Sequence, residues 1–420
     1  MVGWFAKALG ALLLLVAVAV PAAAGARDRM SAACHAFSPK VGNDAQAQIP
    51  AMSQFVCDGP AVTSTAPTSW LFFTAEDFAA RSESPTHFVT DIGRFDSITL
   101  IAMGPNGPLR ARSYRMEDVS HFVNGPKFAL PMPDLLGATS LVVAVQGAWS
   151  PIVMSQARLE TRRGSEGPLG WSDEALLVLA ILIGVLAAPL AYNVMFYRIL
   201  RERFVLWMAA TEVSMLLLVL MASGIVHRFF DMSLDTTVLL ASLSLLLPII
   251  LATGYFRAYF EPNVLSETTD KLLASTAVAT TLVAVVFCLP FDSLRPVAHL
   301  LFPLAPMPLA IAIALAVRQA RRAGSRAVVV QVLVWAPLAM CAAALMLRQS
   351  GFAFPGDFLD VVFFAAAFAH VSMACFSVIY RVDGMRSERE RVNARLDALT
   401  NLIDLDPLTG IFNRRALEQR

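Results

Sequence analysis

Ala175-Leu176-Leu177-Val178-Leu179-Ala180-Ile181-Leu182-Ile183-Gly184-Val185-Leu186-Ala187-Ala188-Pro189-Leu190-Ala191-Tyr192-Asn193-Val194-Met195-Phe196-Tyr197 contains no charged side chain and is stopped by Arg198. A helix needs about 20 apolar residues to cross the hydrocarbon core of a bilayer, so this stretch decides the fold class: the chain is built around a membrane. Six further runs repeat the pattern, at 205–226, 237–256, 272–289, 298–317, 327–347 and 358–380. A seven-helix domain is therefore expected over residues 171–380, with Trp171 at its entry, where an indole favours the membrane interface. Composition agrees, being 57% hydrophobic and 15% charged, against roughly a quarter charged in soluble domains. A formal net charge of +1 supplies no basic field of the kind that attracts nucleic acid, so no nucleic-acid partner is expected.

Orientation follows from the basic residues. The turns after the first, third and fifth runs carry Arg198, Arg201 and Arg203, then Arg257 and Lys271, then Arg318, Arg321, Arg322 and Arg326; the alternate turns carry Arg228, Arg295 and Arg348. Basic loops stay in the cytoplasm, which places the C-terminus inside. Residues 1–26 give the same answer from the other end. Lys7, an apolar run at 9–20 and the small residues Ala22-Ala23-Ala24-Gly25-Ala26 form the pattern of a secretory signal peptide; an uncleaved anchor helix is the alternative, and either one exports the residues after it. The expectation is a multi-pass protein of the bacterial inner (cytoplasmic) membrane, with the lipid bilayer as a partner and an N-terminal domain in the periplasm or outside the cell.

That exported domain, residues 27–170, has short apolar runs at 70–73, 97–102, 109–114, 127–130 and 139–146, each bounded by Gly, Pro, Asp or Asn. Such spacing predicts an all-β sandwich. Gly104-Pro105-Asn106-Gly107 predicts a hairpin, since Asn-Gly accepts the positive φ of a tight turn. Cys34 and Cys57 are the two cysteines of this domain and are expected to pair after export, as cysteines do in oxidising compartments. Cys288, Cys341 and Cys375 sit inside apolar runs and read as small core hydrophobes. The strand order and the Asn106-Gly107 turn resemble the jelly-roll-like extracytoplasmic domain that precedes the helices of seven-transmembrane receptors with diverse intracellular signalling modules. Tyr192-Asn193 near the end of the first run, with the basic turn after it, is similar to the same family. That resemblance implies an unknown small extracytoplasmic ligand, carbohydrate among the candidates, and Trp149 and His121 are aromatic rings of the kind that stack on sugars; a packing role is the plainer reading of each.

Among the polar side chains within the apolar runs, Asn193, Glu212 and His370 stand out. Ionisable groups at such depth are costly and face a partner or a functional path; an interhelical hydrogen bond is the plain reading, with Asn193 available as an acceptor or donor. A pump or carrier calls for more charged groups than the remaining runs hold, which leaves small-solute transport as a distant alternative.

Beyond Tyr380 the chain turns polar with no proline until Pro407. From Val378 the positions Val382, Met385, Arg389, Val392, Leu396, Leu399 and Ile403 recur at 4, 3, 4, 3, 4, 3 and 4, the heptad spacing of a coiled coil. Residues 381–404 are thus expected to form a signalling helix of about 35 Å, at 1.5 Å per residue, that pairs with its copy in a homodimer; docking on its own domain is the alternative. Arg389 is the polar member of the seam and would loosen it locally.

The next residues run Asp406-Pro407-Leu408-Thr409-Gly410-Ile411-Phe412-Asn413-Arg414-Arg415. They resemble the entry motif of the GGDEF domain of diguanylate cyclases, an α/β domain that joins two GTP molecules into cyclic di-GMP. The resemblance implies that 405–420 opens such a domain and that Asp406, Leu408, Thr409, Gly410, Asn413, Arg414 and Arg415 brace its junction with the coil rather than act in catalysis. Residues that hold GTP and Mg²⁺ would come after Arg420, so neither cofactor, and no catalytic or metal-binding residue, is expected within these 420 positions. A non-enzymatic receptor whose tail recruits a cytoplasmic partner is the other reading left open.

Overall fold

The computed structural model describes residues 29–39, 48–57, 67–74, 84–123, 125–161, 173–260, 264–289, 291–295, 297, 301, 304–325, 327–349 and 358–404. The expected signal peptide, Trp171 and the 405–420 segment lie outside them. The chain divides into two compact units, 1–371 and 372–420.

Among the described residues the first unit opens with ten strands: β1 (Arg29–Ser31), β2 (Cys34–Ser38), β3 (Thr68–Thr74), β4 (His87–Asp91), β5 (Ser97–Gly104), β6 (Gly107–Arg115), β7 (Phe122–Val123), β8 (Lys127–Pro131), β9 (Ser140–Gln146) and β10 (Arg158–Glu160). They form two antiparallel five-stranded sheets, ordered β1-β10-β4-β8-β7 and β2-β3-β9-β5-β6. Phe88, Phe128, Leu130 and Leu159 from one sheet share a single core with Leu71, Phe73, Ile98, Leu100, Val143 and Val145 from the other. The second sheet is covered on its outer face as well, where Trp70, Ile101, Val142 and Ala144 pack with Cys34, Ala36 and Phe55. Burial on both faces explains why β5 and β9 read as continuous apolar runs instead of alternating ones.

All five expected strands are present. The five that the sequence left unread, β1, β2, β4, β7 and β10, are short or mix polar residues into the run. The hairpin turn also differs in detail: Gly104 pairs with Gly107 around Pro105 and Asn106, and the positive φ, 123°, falls on Gly107 alone. Proline holds φ negative at the first central position, which moves the left-handed demand one residue past Asn106.

Seven long helices come next among the described residues: α1 (Asp173–Leu200), α2 (Arg203–Ser223), α3 (Leu234–Tyr259), α4 (Glu267–Cys288), α5 (Met307–Arg322), α6 (Ala327–Gln349) and α7 (Phe358–Asp404). Six of them are long and apolar enough to span a bilayer. The exception is α5, because the expected run 298–317 begins among residues largely outside the description. Its far end passes the expected boundary by five residues, since Gln319, Ala320, Arg321 and Arg322 are strong helix formers; Gly324, at φ 75°, then supplies the left-handed stop. Gly224, at φ 73°, ends α2 in the same way. Exposed apolar side chains such as Leu177, Ile181, Val278, Leu282, Val329 and Leu333 stud the helices, as a lipid-facing surface requires.

Helix α7 runs unbroken through the expected boundary at residue 380, for 47 residues. Gly384 costs only about 1 kcal/mol in a helix interior, and no proline intervenes. Along the second unit's part of this helix Val392, Leu396 and Leu399 are 49%, 55% and 55% exposed, an apolar stripe in a largely polar run. Arg386 and Glu390 pair at 3.2 Å on its surface.

Candidate functional site

The β domain rests on one set of helix ends, and the contact is built from groups that a helix terminus leaves unsatisfied. A helix ends with carbonyls that have no intrahelical partner. Two such carbonyls are met by the sheet domain: Gly125 N–H donates to Ser223 O at the end of α2, at 3.2 Å, and Arg94 Nη2 donates to Cys288 O at the end of α4, at 2.8 Å. Arg94 also donates through Nε to Asp235 Oδ1, at 2.6 Å, in the first turn of α3, where an acidic side chain is favoured by the helix dipole. Its guanidinium lies 5.5 Å from the centre of the Trp149 ring. One buried arginine therefore ties the β domain to two helices.

Around this latch the two layers interpenetrate. Leu234, the first residue of α3, is fully buried in the core of the β domain. Phe122 of β7 stacks on His227 with ring centres 3.7 Å apart and planes 2° from parallel. Burial lowers the His227 pKa from its ordinary value to about 4, and its Nδ1 has no hydrogen-bond partner among the described residues. Arg295, in the turn after α4, reaches Asp96 at 3.2 Å. Glycine is required at two places here. A Cβ on Gly224 would stand 2.8 Å from Gly125 O, and one on Gly147, at φ 69°, would overlap the Asp96 carboxylate and the Arg295 guanidinium. Between the layers lies a pocket of about 170 Å³, walled by Asp91, Arg94, Trp149 and Ser150 from the β domain and by Met221, Ser242, Phe287 and others from the ends of α2, α3, α4 and α6.

Trp149 is thus half-buried against Arg94, not an open sugar platform; its position beside a buried guanidinium accounts for the difference. His121 is exposed and bonds Ser120 Oγ at 2.9 Å. Cys34 and Cys57 are joined as a disulfide, which ties β2 to the segment that bridges to it at Val56.

Of the intramembrane polar residues, Asn193 and Glu212 are brought together: Asn193 Nδ2 donates to Glu212 Oε2 at 2.5 Å, joining α1 to α2. His370 has other partners, Val334 O at 3.0 Å and the Trp335 ring at 4.3 Å between centres. Beside it Trp335 Nε1 donates to Gln331 Oε1 at 3.0 Å, and Gln331 Nε2 to Tyr255 OH at 3.1 Å. This second network joins α3, α6 and α7. The amide Gln331, an isolated polar residue in an apolar run, was the unused signal for it. Among the described residues no group of three or more His, Cys, Asp or Glu side chains is placed to hold a metal ion. On α7, Val382, Met385, Arg389, Val392, Leu396 and Leu399 lie on the described helix, as does the backbone of Ile403. Asp406, Leu408, Thr409, Gly410, Asn413, Arg414 and Arg415 lie outside the described residues.

Residues 175–380 match the 7TM diverse intracellular signalling family. The matched range starts with the first apolar run and ends with the last, so a 7TM signalling domain and its N-terminal β-sheet domain make this chain a membrane receptor. No curated protein matches it. The residues of the latch lie on both sides of the boundary of the 7TM signalling match, with Arg94 141 positions away from Asp235; neither spacing nor composition links them in the sequence.

Proposed function

We propose that this receptor senses a cue at its extracytoplasmic face and controls a C-terminal diguanylate cyclase, the enzyme that makes cyclic di-GMP from GTP. The observation that carries the reading is the order of parts: a 7TM signalling domain, a helix that leaves it without a break, heptad spacing on that helix, and Asp406 to Arg415 immediately after. In such cyclases two GTP-loaded domains must face each other, and phosphoryl transfer depends chiefly on positioning. A paired α7 sets that geometry, so rotation or sliding of the seventh helices switches synthesis without touching the active site. The orientation follows the basic loops: the β domain stands outside the inner membrane, at the ends of α2, α3 and α4 that the sequence assigns to the exterior. The chain works as a homodimer through the Val382 to Ile403 seam.

The reading frame through and beyond Arg420 tests this. It is expected to encode Gly-Gly-(Asp/Glu)-Glu-Phe, and its expression to raise cyclic di-GMP in cells, with loss of the rise when the acidic residues of that motif are replaced. A frame with no such motif, or with no product despite stable expression, contradicts the proposal.

A further inference from the structure

The pocket at the latch is walled by the β domain and by the helix ends it rests on, and its chemistry narrows what fits. We propose that it binds a small uncharged amphiphile, an aromatic or short aliphatic molecule with one hydroxyl or N–H group, and that occupancy bears directly on the seating of the β domain. Size comes first. A cavity of about 150 Å³ accepts a benzene ring, so 170 Å³ accommodates one ring with one or two substituent atoms.

Charge comes second. Asp91 and Arg94 are the charged residues in the wall. Arg94 is already committed to Asp235 and Cys288 O, and Asp91 is 2% exposed and has a partner of its own. An anion finds no uncommitted cation among these residues, and an ion stripped of water without a counter-charge is strongly disfavoured. Polarity comes third. Ile92, Met221, Leu245 and Phe287 offer an apolar bed, while Ser242 and Ser244 offer hydroxyls; Ser244 donates to Ala241 O at 2.8 Å and keeps its acceptor lone pairs. One end of the ligand is thus dry and the other hydrogen-bonded, the usual plan of a small-molecule site. The pocket lies between a domain and helix ends, so a ligand there touches both and biases their contact by its differential affinity.

The full chain, purified in detergent, is titrated with 4-fluorophenol while the ¹⁹F line is followed. A saturable shift is expected, displaced by phenol and p-cresol at concentrations at least tenfold below those needed of toluene or benzoate. Ala241→Phe, which fills the pocket from α3, is expected to abolish the saturable component; Leu345→Trp, which fills it from α6, serves the same purpose should the first variant not fold. A signal linear in ligand, as partition into detergent gives, overturns the proposal. So does saturation that survives in a folded filling variant, or benzoate competing as well as p-cresol. Binding is read without cyclic di-GMP, so failure here leaves the cyclase proposal standing, and failure of that proposal leaves this one testable.

Discussion

Arg94 is the residue on which the junction turns. A hydrogen bond to a charged group contributes roughly 1.5–3 kcal/mol, and Arg94 makes one to Asp235 and another to a helix-end carbonyl. Asp235 is 40% exposed, so solvent reclaims part of the loss when its partner goes. The expected outcome is that Arg94→Ala and Asp235→Ala each lower the thermal midpoint, and that the double variant is less destabilised than their sum by about 0.5–3 kcal/mol, the usual coupling of residues in contact. Strict additivity in that cycle contradicts the latch.

His227 gives the junction a pH dependence whose sign is fixed. Its pKa is lowered by burial from 6.5 to about 4, so the docked state holds the neutral ring while the undocked state protonates first. Stability is fully present above about pH 6.5 and is lost as pH falls towards 4. Melting followed from pH 7.5 to 4.5 is expected to show a decline that His227→Phe, which keeps the stack on Phe122, largely flattens. An identical decline in that variant assigns the effect to other groups.

At the scale of elements, the sequence shows most clearly what depends on local pattern. Six of the apolar runs, five strands and the helix that continues past residue 380 were legible because length and periodicity encode them within a few tens of residues. Strands β1, β2, β4, β7 and β10 were not, since their pairing partners lie far away and too few apolar residues mark them. The intramembrane residues were visible as exceptions, but their partners were not: periodicity shows that Glu212 needs one, and only packing shows that it is Asn193 and that His370 sits on Trp335 instead. The latch was hidden altogether, because Arg94, Gly224 and Leu234 are ordinary residues until the two layers meet. Strand β2 carries its own prediction. Alkylation of the untreated, denatured chain should leave Cys34 and Cys57 unmodified while Cys288, Cys341 and Cys375 react; closure of a loop of 23 residues contributes about 3 kcal/mol in the chain-entropy picture. Labelling of all five contradicts the bond.

For the whole molecule, the account is mechanical. In the proposed mechanism a cue at the β domain changes how it sits on the ends of α2, α3 and α4, the bundle repacks in response, and α7, unbroken from Phe358 to Asp404, carries the change to the proposed coil. Prolines inside α1, α3 and α6, at Pro189, Pro248 and Pro337, are natural places for such helices to bend. Single cysteines placed along α7 in a chain otherwise lacking Cys288, Cys341 and Cys375 test this most directly, by crosslinking in native membranes. Crosslinking is expected to peak at Met385, Val392, Leu396, Leu399 and Ile403 and to fall at Ser387, Ala394 and Asn401, and the same scan with Arg94→Ala is expected to shift the pattern or its rates along the coil. A flat profile, or a profile that Arg94→Ala leaves unchanged in a folded receptor, would contradict the claim that the junction speaks to the coil.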